Sequence, residues 1–104
     1  MAEVIKVTKD NFENEVLGCE KPVLADFNAD WCGPCRMLKP VLDDMAKERQ
    51  DVKIVSINVD DEGELAQKFE IFSIPCVIAF KDGKEVGRSV GFQPRSELER
   101  LIVE

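Results

Sequence analysis

Hydrophobic and polar positions change period several times along this chain, and each change marks an element. "EVIKVT" (3–8) alternates like a strand with one covered face, and Thr8 is placed to cap a short helix through "KDNFENEVL". "KPVLADFNA" (21–29) is a nearly continuous apolar run, the mark of a strand buried on both faces. From Pro34 to about Arg49 the period lengthens, with Leu38, Val41, Leu42, Met45 and Ala46 at helical spacing. Pro40 falls inside this segment, removes one backbone donor and predicts a kink. "VKIVSINVD" (52–60) reads as a second buried strand, and "EGELAQKFE" as a short helix with Leu65, Ala66 and Phe69 on one side. "PCVIAFKDGKEVGRSVGF" (75–92) is two strands joined at Asp82-Gly83, the strongest hairpin signal in the chain. Pro94 opens a last helix that carries Leu98, Leu101 and Ile102 on one face. The order βαβαβαββα predicts an α/β fold, a mixed sheet with helices on both faces.

Composition narrows the functional classes. A chain of 104 residues, 44% of them hydrophobic, makes one compact domain over residues 1–104 with a core that does not need disulfides to fold. A formal charge of −7 without a basic cluster argues against nucleic acid and anionic membranes, where Lys and Arg supply most of the affinity. The first ten residues, "MAEVIKVTKD", lack the positive stretch and apolar run of a signal peptide. No apolar segment approaches the ~20 residues needed to cross a bilayer. A cytoplasmic location is the expectation. Thiols are kept reduced there, so a close cysteine pair points to catalysis or metal binding before a structural bridge.

That pair is Cys32 and Cys35 in "ADWCGPCRMLKP", at the junction of a buried strand and a long helix. Residues i and i+3 share a helix face, close enough for a disulfide across one turn. The unpaired amides and partial positive charge of a helix N-terminus favour a thiolate and make it nucleophilic. Gly33 is expected to allow a tight turn, and Pro34 to start the helix without wasting a donor. A structural staple is the weaker reading, because closing so short a loop removes little chain entropy. Zinc is weaker still: the remaining cysteines are single and the chain has no histidine. No metal ligand is assigned, and redox chemistry is favoured.

The chain resembles the thioredoxin family from about residue 3 to residue 103. The resemblance rests on "WCGPC" after "ADFNAD", "SIPC" at 73–76, "FKDGK" at 80–84 and "VGF" at 90–92. It implies the thioredoxin fold, a central mixed five-stranded sheet flanked by four helices. It also implies a protein disulfide reductase, a general dithiol electron carrier working through a reversible Cys32–Cys35 disulfide. Cys32 would be the exposed attacking thiolate, and Cys35, more buried, would resolve the mixed disulfide. Trp31 would flank the site, core packing being the alternative for a lone Trp. Pro75 would be a cis-proline facing the pair, the backbone at Ile74 would pair with an extended substrate segment, and Gly91 would let its loop approach the same groove. The implied partners are thioredoxin reductase and disulfide-containing client proteins, with the protein a monomer and no bound cofactor. An oxidant or isomerase of the same fold is disfavoured by Gly33-Pro34 and by the missing signal peptide.

Asp26 can be argued from its surroundings. In the middle of "VLADF", burial would raise its pKa, and a carboxyl poised near neutrality below Cys35 could accept that thiol's proton. The alternative is an Asp facing solvent at a strand end. Three positions depart from the family pattern: Asn28 replaces a common aromatic, Ser56 a frequent lysine near the buried carboxyl, and Cys76 the usual threonine. Cys76 is read either as a small buried residue or as an accessory thiol beside the groove, with no positive charge expected near it. The rival from another class is a metal or iron–sulfur module using Cys32, Cys35 and Cys76.

Overall fold

The structure, a computed structural model, describes residues 3–102. Five strands, β1 (Ile5–Lys6), β2 (Val23–Asn28), β3 (Lys53–Asn58), β4 (Cys76–Lys81) and β5 (Lys84–Val90), form one sheet in the order β1-β3-β2-β4-β5. The β1–β3 and β2–β3 pairs are parallel; β2–β4 and β4–β5 are antiparallel. Three α-helices, α1 (Gly33–Glu48), α2 (Gly63–Lys68) and α3 (Arg95–Arg100), and a π-helical segment, Glu13–Leu17, cover its faces. The mixed sheet with four helical segments is the architecture expected from the pattern.

Alternation along β2 sorts the two layers. Val23, Ala25 and Phe27 face the π-helical segment and α2, in a cluster with Phe12, Val16, Leu65, Ile78 and Phe80. Phe69 joins its rings to this layer, 5.4 Å from Phe12 and 5.5 Å from Phe80. Leu24 faces the other way and packs with Leu38, Leu42 and Met45 of α1 and Leu98 of α3. By the same period, Asp26 points to the α1 side. β2 is thus central and covered twice, which is why its sequence reads as a continuous apolar run.

The first two elements are shorter than the pattern predicts. β1 pairs only at Ile5 and Lys6, both exposed at the sheet edge, although Val7 still donates its N–H to the Ser56 carbonyl. Thr8 does not cap a helix from residue 9. Its N–H is taken by Asn11 Oδ1 at 2.7 Å and its hydroxyl accepts from Asp10 N, so a local turn occupies residues 9–11. The helical segment that follows has Phe12 at its N-cap, without a side-chain cap. α1 runs as one helix through Pro40, where the absent donor leaves the Arg36 carbonyl without its usual partner.

The hairpin turns at Asp82 (φ 53°) and Gly83 (φ 78°), two left-handed residues in succession, as a two-residue turn matched to strand twist requires. A Cβ on Gly83 would also sit 3.2 Å from the Leu17 carbonyl oxygen. Gly83→Ala is therefore expected to lower unfolding free energy by about 1–2 kcal/mol at unchanged urea m-value. An unchanged midpoint would count against this account of the turn.

Candidate dithiol site

The strand-to-helix junction places the cysteine pair. β2 ends at Asn28, a short loop brings Cys32 to the N-cap of α1 with extended backbone (φ −87°, ψ 112°), and Pro34 lies in the first turn. Cys32 and Cys35 are disulfide-bonded, with Cα atoms 5.2 Å apart. The Cys35 N–H points at Cys32 Sγ, 3.2 Å away, so a free amide of the first helical turn is aimed at the sulfur that would carry charge after reduction. Gly33 is the first helical residue, is not among the residues with positive φ, and an added Cβ there would meet only the Arg36 guanidinium, at an ordinary contact distance of 4.0 Å. The chain enters the helix through the extended backbone of Cys32, and no left-handed conformation calls for glycine at position 33.

Exposure of Cys32 differs from expectation. Both cysteines are 4% exposed in the disulfide form, packed with Ala29 and against Val59 and Ile74. Cys32 is distinguished from Cys35 by its place at the N-cap, not by access to solvent. Its Sγ lies 3.8 Å from the Ile74 carbonyl oxygen, which brings the 71–75 loop over the pair. The Ile74-Pro75 bond is cis. The Pro75 carbonyl accepts from Gly91 N at 2.7 Å, which ties the loop after β5 to the 71–75 loop. Gly91 has φ +84° but nothing within 4 Å of an added Cβ, so backbone conformation and not close approach calls for glycine. Among the described residues, neither N–H nor C=O of Ile74 has a backbone partner.

Trp31 is 68% exposed and donates its indole N–H to Asp60 Oδ2 at 2.9 Å, which excludes the core-packing alternative. Phe72 and Phe92 are also exposed, on the two loops joined to the pair through Ile74, Pro75 and Gly91. The sequence reading missed Asp60; nothing local to Trp31 announces a partner 29 residues away.

Asp26 is 5% exposed, so the solvent-facing alternative fails. Burial pushes its carboxyl up to about 7, against a weaker opposing pull from an Asn28 hydrogen bond. It lines a cleft of about 870 Å³ together with Cys35, Asn28 and Ser56, which runs along α1 from Cys35 to Lys47. Asn28, noted in the sequence only as a departure from a family pattern, is the residue that contacts the carboxyl. Its signal was the i, i+2 spacing from Asp26 along a strand.

Cys76 lies on the opposite layer, 2% exposed among Phe27, Ile78 and Phe80. Contrary to expectation a cation is present: the Arg88 guanidinium on β5 pulls the thiol pKa down. Desolvation is the larger effect, and the thiol stands above its ordinary value. Cys19 is partly exposed and unpaired. Among the described residues no three of His, Cys, Asp and Glu are grouped to hold a metal ion, so the set Cys32, Cys35 and Cys76 does not converge. No helix is long and apolar enough to cross a membrane, among the described residues.

Comparison with known proteins agrees with this geometry. A family profile described as Thioredoxin matches residues 3–104. The chain is 47% identical over 99 residues to the thioredoxin of Mycobacterium tuberculosis (strain ATCC 25618 / H37Rv), covering 94% of this chain and 85% of the relative. It is 45% identical over 100 residues to the thioredoxin of Bacillus subtilis (strain 168), covering 95% and 94%. The Rickettsia prowazekii (strain Madrid E) thioredoxin is 42% identical over 96 residues, 91% of each chain.

The Asp26 carboxyl generates a stability prediction. Its folded pKa, about 7, lies above the unfolded value near 4, so the folded state holds the proton more tightly between those limits. Stability is full below about pH 4, falls as pH rises to about 7 and then levels, at a cost on the order of 4 kcal/mol. Asp26→Ala should flatten that slope and raise stability at pH 8 by about 2–4 kcal/mol, the lower figure allowing for the cavity left. Urea unfolding from pH 4 to pH 8 checks this; destabilisation at pH 8 would contradict it.

Proposed function

The chain belongs to the thioredoxin family, and from that premise we propose how its residues divide the work. As a member it is a thiol–disulfide oxidoreductase, a protein disulfide reductase whose redox centre is the cysteine pair itself. In general terms the family works between a reductase and disulfide-containing protein substrates.

Cys32 is the attacking thiolate and Cys35 the resolving thiol. The observation that carries this order is the Cys35 amide aimed at Cys32 Sγ from the helix N-terminus, which stabilises negative charge on Cys32 and not on Cys35. Reduced Cys32 attacks one sulfur of a client disulfide, forms a mixed disulfide and releases the other sulfur as a thiolate. Cys35 then gives its proton to the Asp26 carboxylate and attacks Cys32 Sγ. The Cys32–client bond breaks, the client leaves as a second thiolate, and the Cys32–Cys35 disulfide closes. Two electrons have passed to the client.

Client docking uses the three joined loops. An extended segment pairs with the N–H and C=O of Ile74, which lack backbone partners, beside cis-Pro75, while Gly91 holds the facing loop and the Trp31 ring forms one wall. Gly33 and Pro34 keep the mouth low enough for a client sulfur to reach Cys32. Cys76 stays outside the cycle: its burial and raised pKa slow it as a nucleophile, and packing is its role. The remaining parts of the reading are a monomer in the reducing cytoplasm, a thioredoxin reductase as electron donor, and no bound cofactor, since the dithiol carries both electrons.

The test is reduction of insulin disulfides by the purified protein, driven by a candidate thioredoxin reductase. Cys35→Ser should trap covalent client complexes from an oxidised lysate and Cys32→Ser should trap none. Equal trapping by the two variants would reverse or remove the assignment.

A further inference from the structure

The Asp26 carboxyl has one oxygen fastened and one free. Asn28 Nδ2 donates to Asp26 Oδ2 at 3.1 Å, to the Asp26 carbonyl at 3.0 Å and to Ser56 Oγ at 2.8 Å. Two amide hydrogens therefore serve three acceptors. Residues 26 and 28 share a face of β2, and Ser56 is the β3 register partner of Asp26, so two paired strands and no loop build the contact. Asp26 Oδ1, by contrast, is the one buried side-chain oxygen or nitrogen without a hydrogen-bond partner among the described residues. A buried carboxylate oxygen left without a partner is unusual and calls for an explanation.

Charged groups near the carboxyl do not supply that role. α1 offers Arg36, Lys39, Asp43 and Lys47 to the shared cleft; Glu3 and Lys6 come from the N-terminal edge, and Asp30 and Asp61 from the loops after β2 and β3. Lys39 is paired to Asp43 at 3.1 Å, and Arg36 donates to the Asp30 carbonyl at 2.8 Å. β4 presents apolar Val77 in register with Asp26, α3 contributes apolar Leu98 to the same layer, and from the opposite layer only the Cys76 thiol responds to the Asp26 charge. The balance at Asp26 is desolvation against the Asn28 hydrogen bond, with no charged neighbour entering.

We infer that Asn28 is a positioning residue for proton transfer at Asp26: its amide, braced on Ser56, fastens Oδ2 and leaves Oδ1 to take up and return the proton. This rests on the reading of Asp26 as acceptor of the Cys35 proton. Cys35 S–H gives its proton to Oδ1, the sulfur's electron pair forms the bond to Cys32 Sγ, and the client thiolate leaves. No further oxidant is needed, since the client disulfide receives both electrons. A neutral amide suits the task because it favours the carboxylate less than a cation would. The proton affinity of Asp26 then stays high enough to compete for a thiol proton.

The experiment uses the full-length reduced protein and two readouts. Carbon NMR follows the titration midpoint of the Asp26 carboxyl. Stopped-flow follows, against pH, the release of a mixed disulfide formed on Cys32 with a small aromatic disulfide. Asn28→Ala should raise the midpoint by about one pH unit, tenfold in proton affinity, and carry the release limb with it. Asn28→Leu, closer in volume, should do the same if the alanine variant folds poorly. Adding Ser56→Lys to either should bring both quantities back down, because a cation in register restores favour to the carboxylate. A purely structural role for Asn28 would lower stability and rate without moving the midpoint, and an unmoved midpoint overturns the inference. A moved midpoint with an unmoved limb overturns it as well. In that case Asp26→Asn locates the fault: a limb that survives this substitution shows that Asp26 is not the acceptor.

Discussion

Everything at this site follows from covering β2 on both faces. A central strand with packed layers above and below must place its polar residues in a dry environment or at its ends. β2 does both: Asp26 sits in the slab among Leu24, Val77 and the first turns of α1, and Asn28 stands at the rim where the strand gives way to the loop. The same coverage fixes α1. Its apolar face, Leu38, Leu42 and Met45, is buried on the β2 side, so the helix N-terminus with Cys32 is held at the strand's carboxyl end. Sulfur chemistry and carboxyl chemistry are neighbours because one strand delivers both.

Two buried titratable groups show how desolvation and local partners divide the outcome. Asp26 is raised by burial and drawn back by a neutral amide. Cys76, on the opposite layer of the same sheet, is raised by burial although the Arg88 guanidinium opposes it. In both, removal from water is the largest effect, yet the consequences differ in kind. A carboxyl raised to about 7 changes charge in the physiological range and can exchange a proton during turnover. A thiol raised above its ordinary value remains protonated there and loses nucleophilicity. On the proposed mechanism, burial thus suits one residue to proton exchange and slows the other as a nucleophile.

The sequence carried the fold wherever one layer decides the pattern. The apolar runs of β2, β3 and β4, the helical spacing of α1 and the Asp82-Gly83 turn each depend on short-range periodicity or backbone preference, and the structure has them within a residue or two. The cysteine pair at a strand-to-helix junction was legible for the same reason. What was not legible depends on register between distant segments. β1 shortens because only Ile5 and Lys6 reach partners on β3, and the π-helical segment starts late because Asn11 takes the Thr8 amide. Arg88 reaches Cys76 only once β5 pairs with β4, and Asn28 reaches Ser56 only once β3 lies beside β2. Cys32 was expected to be exposed, and its burial comes from packing with Ala29, Val59 and Ile74, the last of them 42 residues away.

The covering loop also resolves an apparent conflict between a buried pair and large protein substrates. Cys32 is covered by Ala29, Val59 and Ile74, and the Ile74 backbone, whose carbonyl oxygen lies 3.8 Å from Cys32 Sγ, has no backbone partner among the described residues. In the proposed docking mode, a segment that pairs with Ile74 would approach along the strip that covers the sulfur, and backbone pairing would bring its own disulfide to Cys32 without requiring the dithiol to move outwards. The main-chain hydrogen bonds of such a contact would read extended shape and not sequence. Exposed Trp31, Phe72 and Phe92 add apolar area of low specificity around it. The arrangement selects for an extended, accessible disulfide rather than for a particular neighbouring sequence, which is the selectivity a general reductase needs.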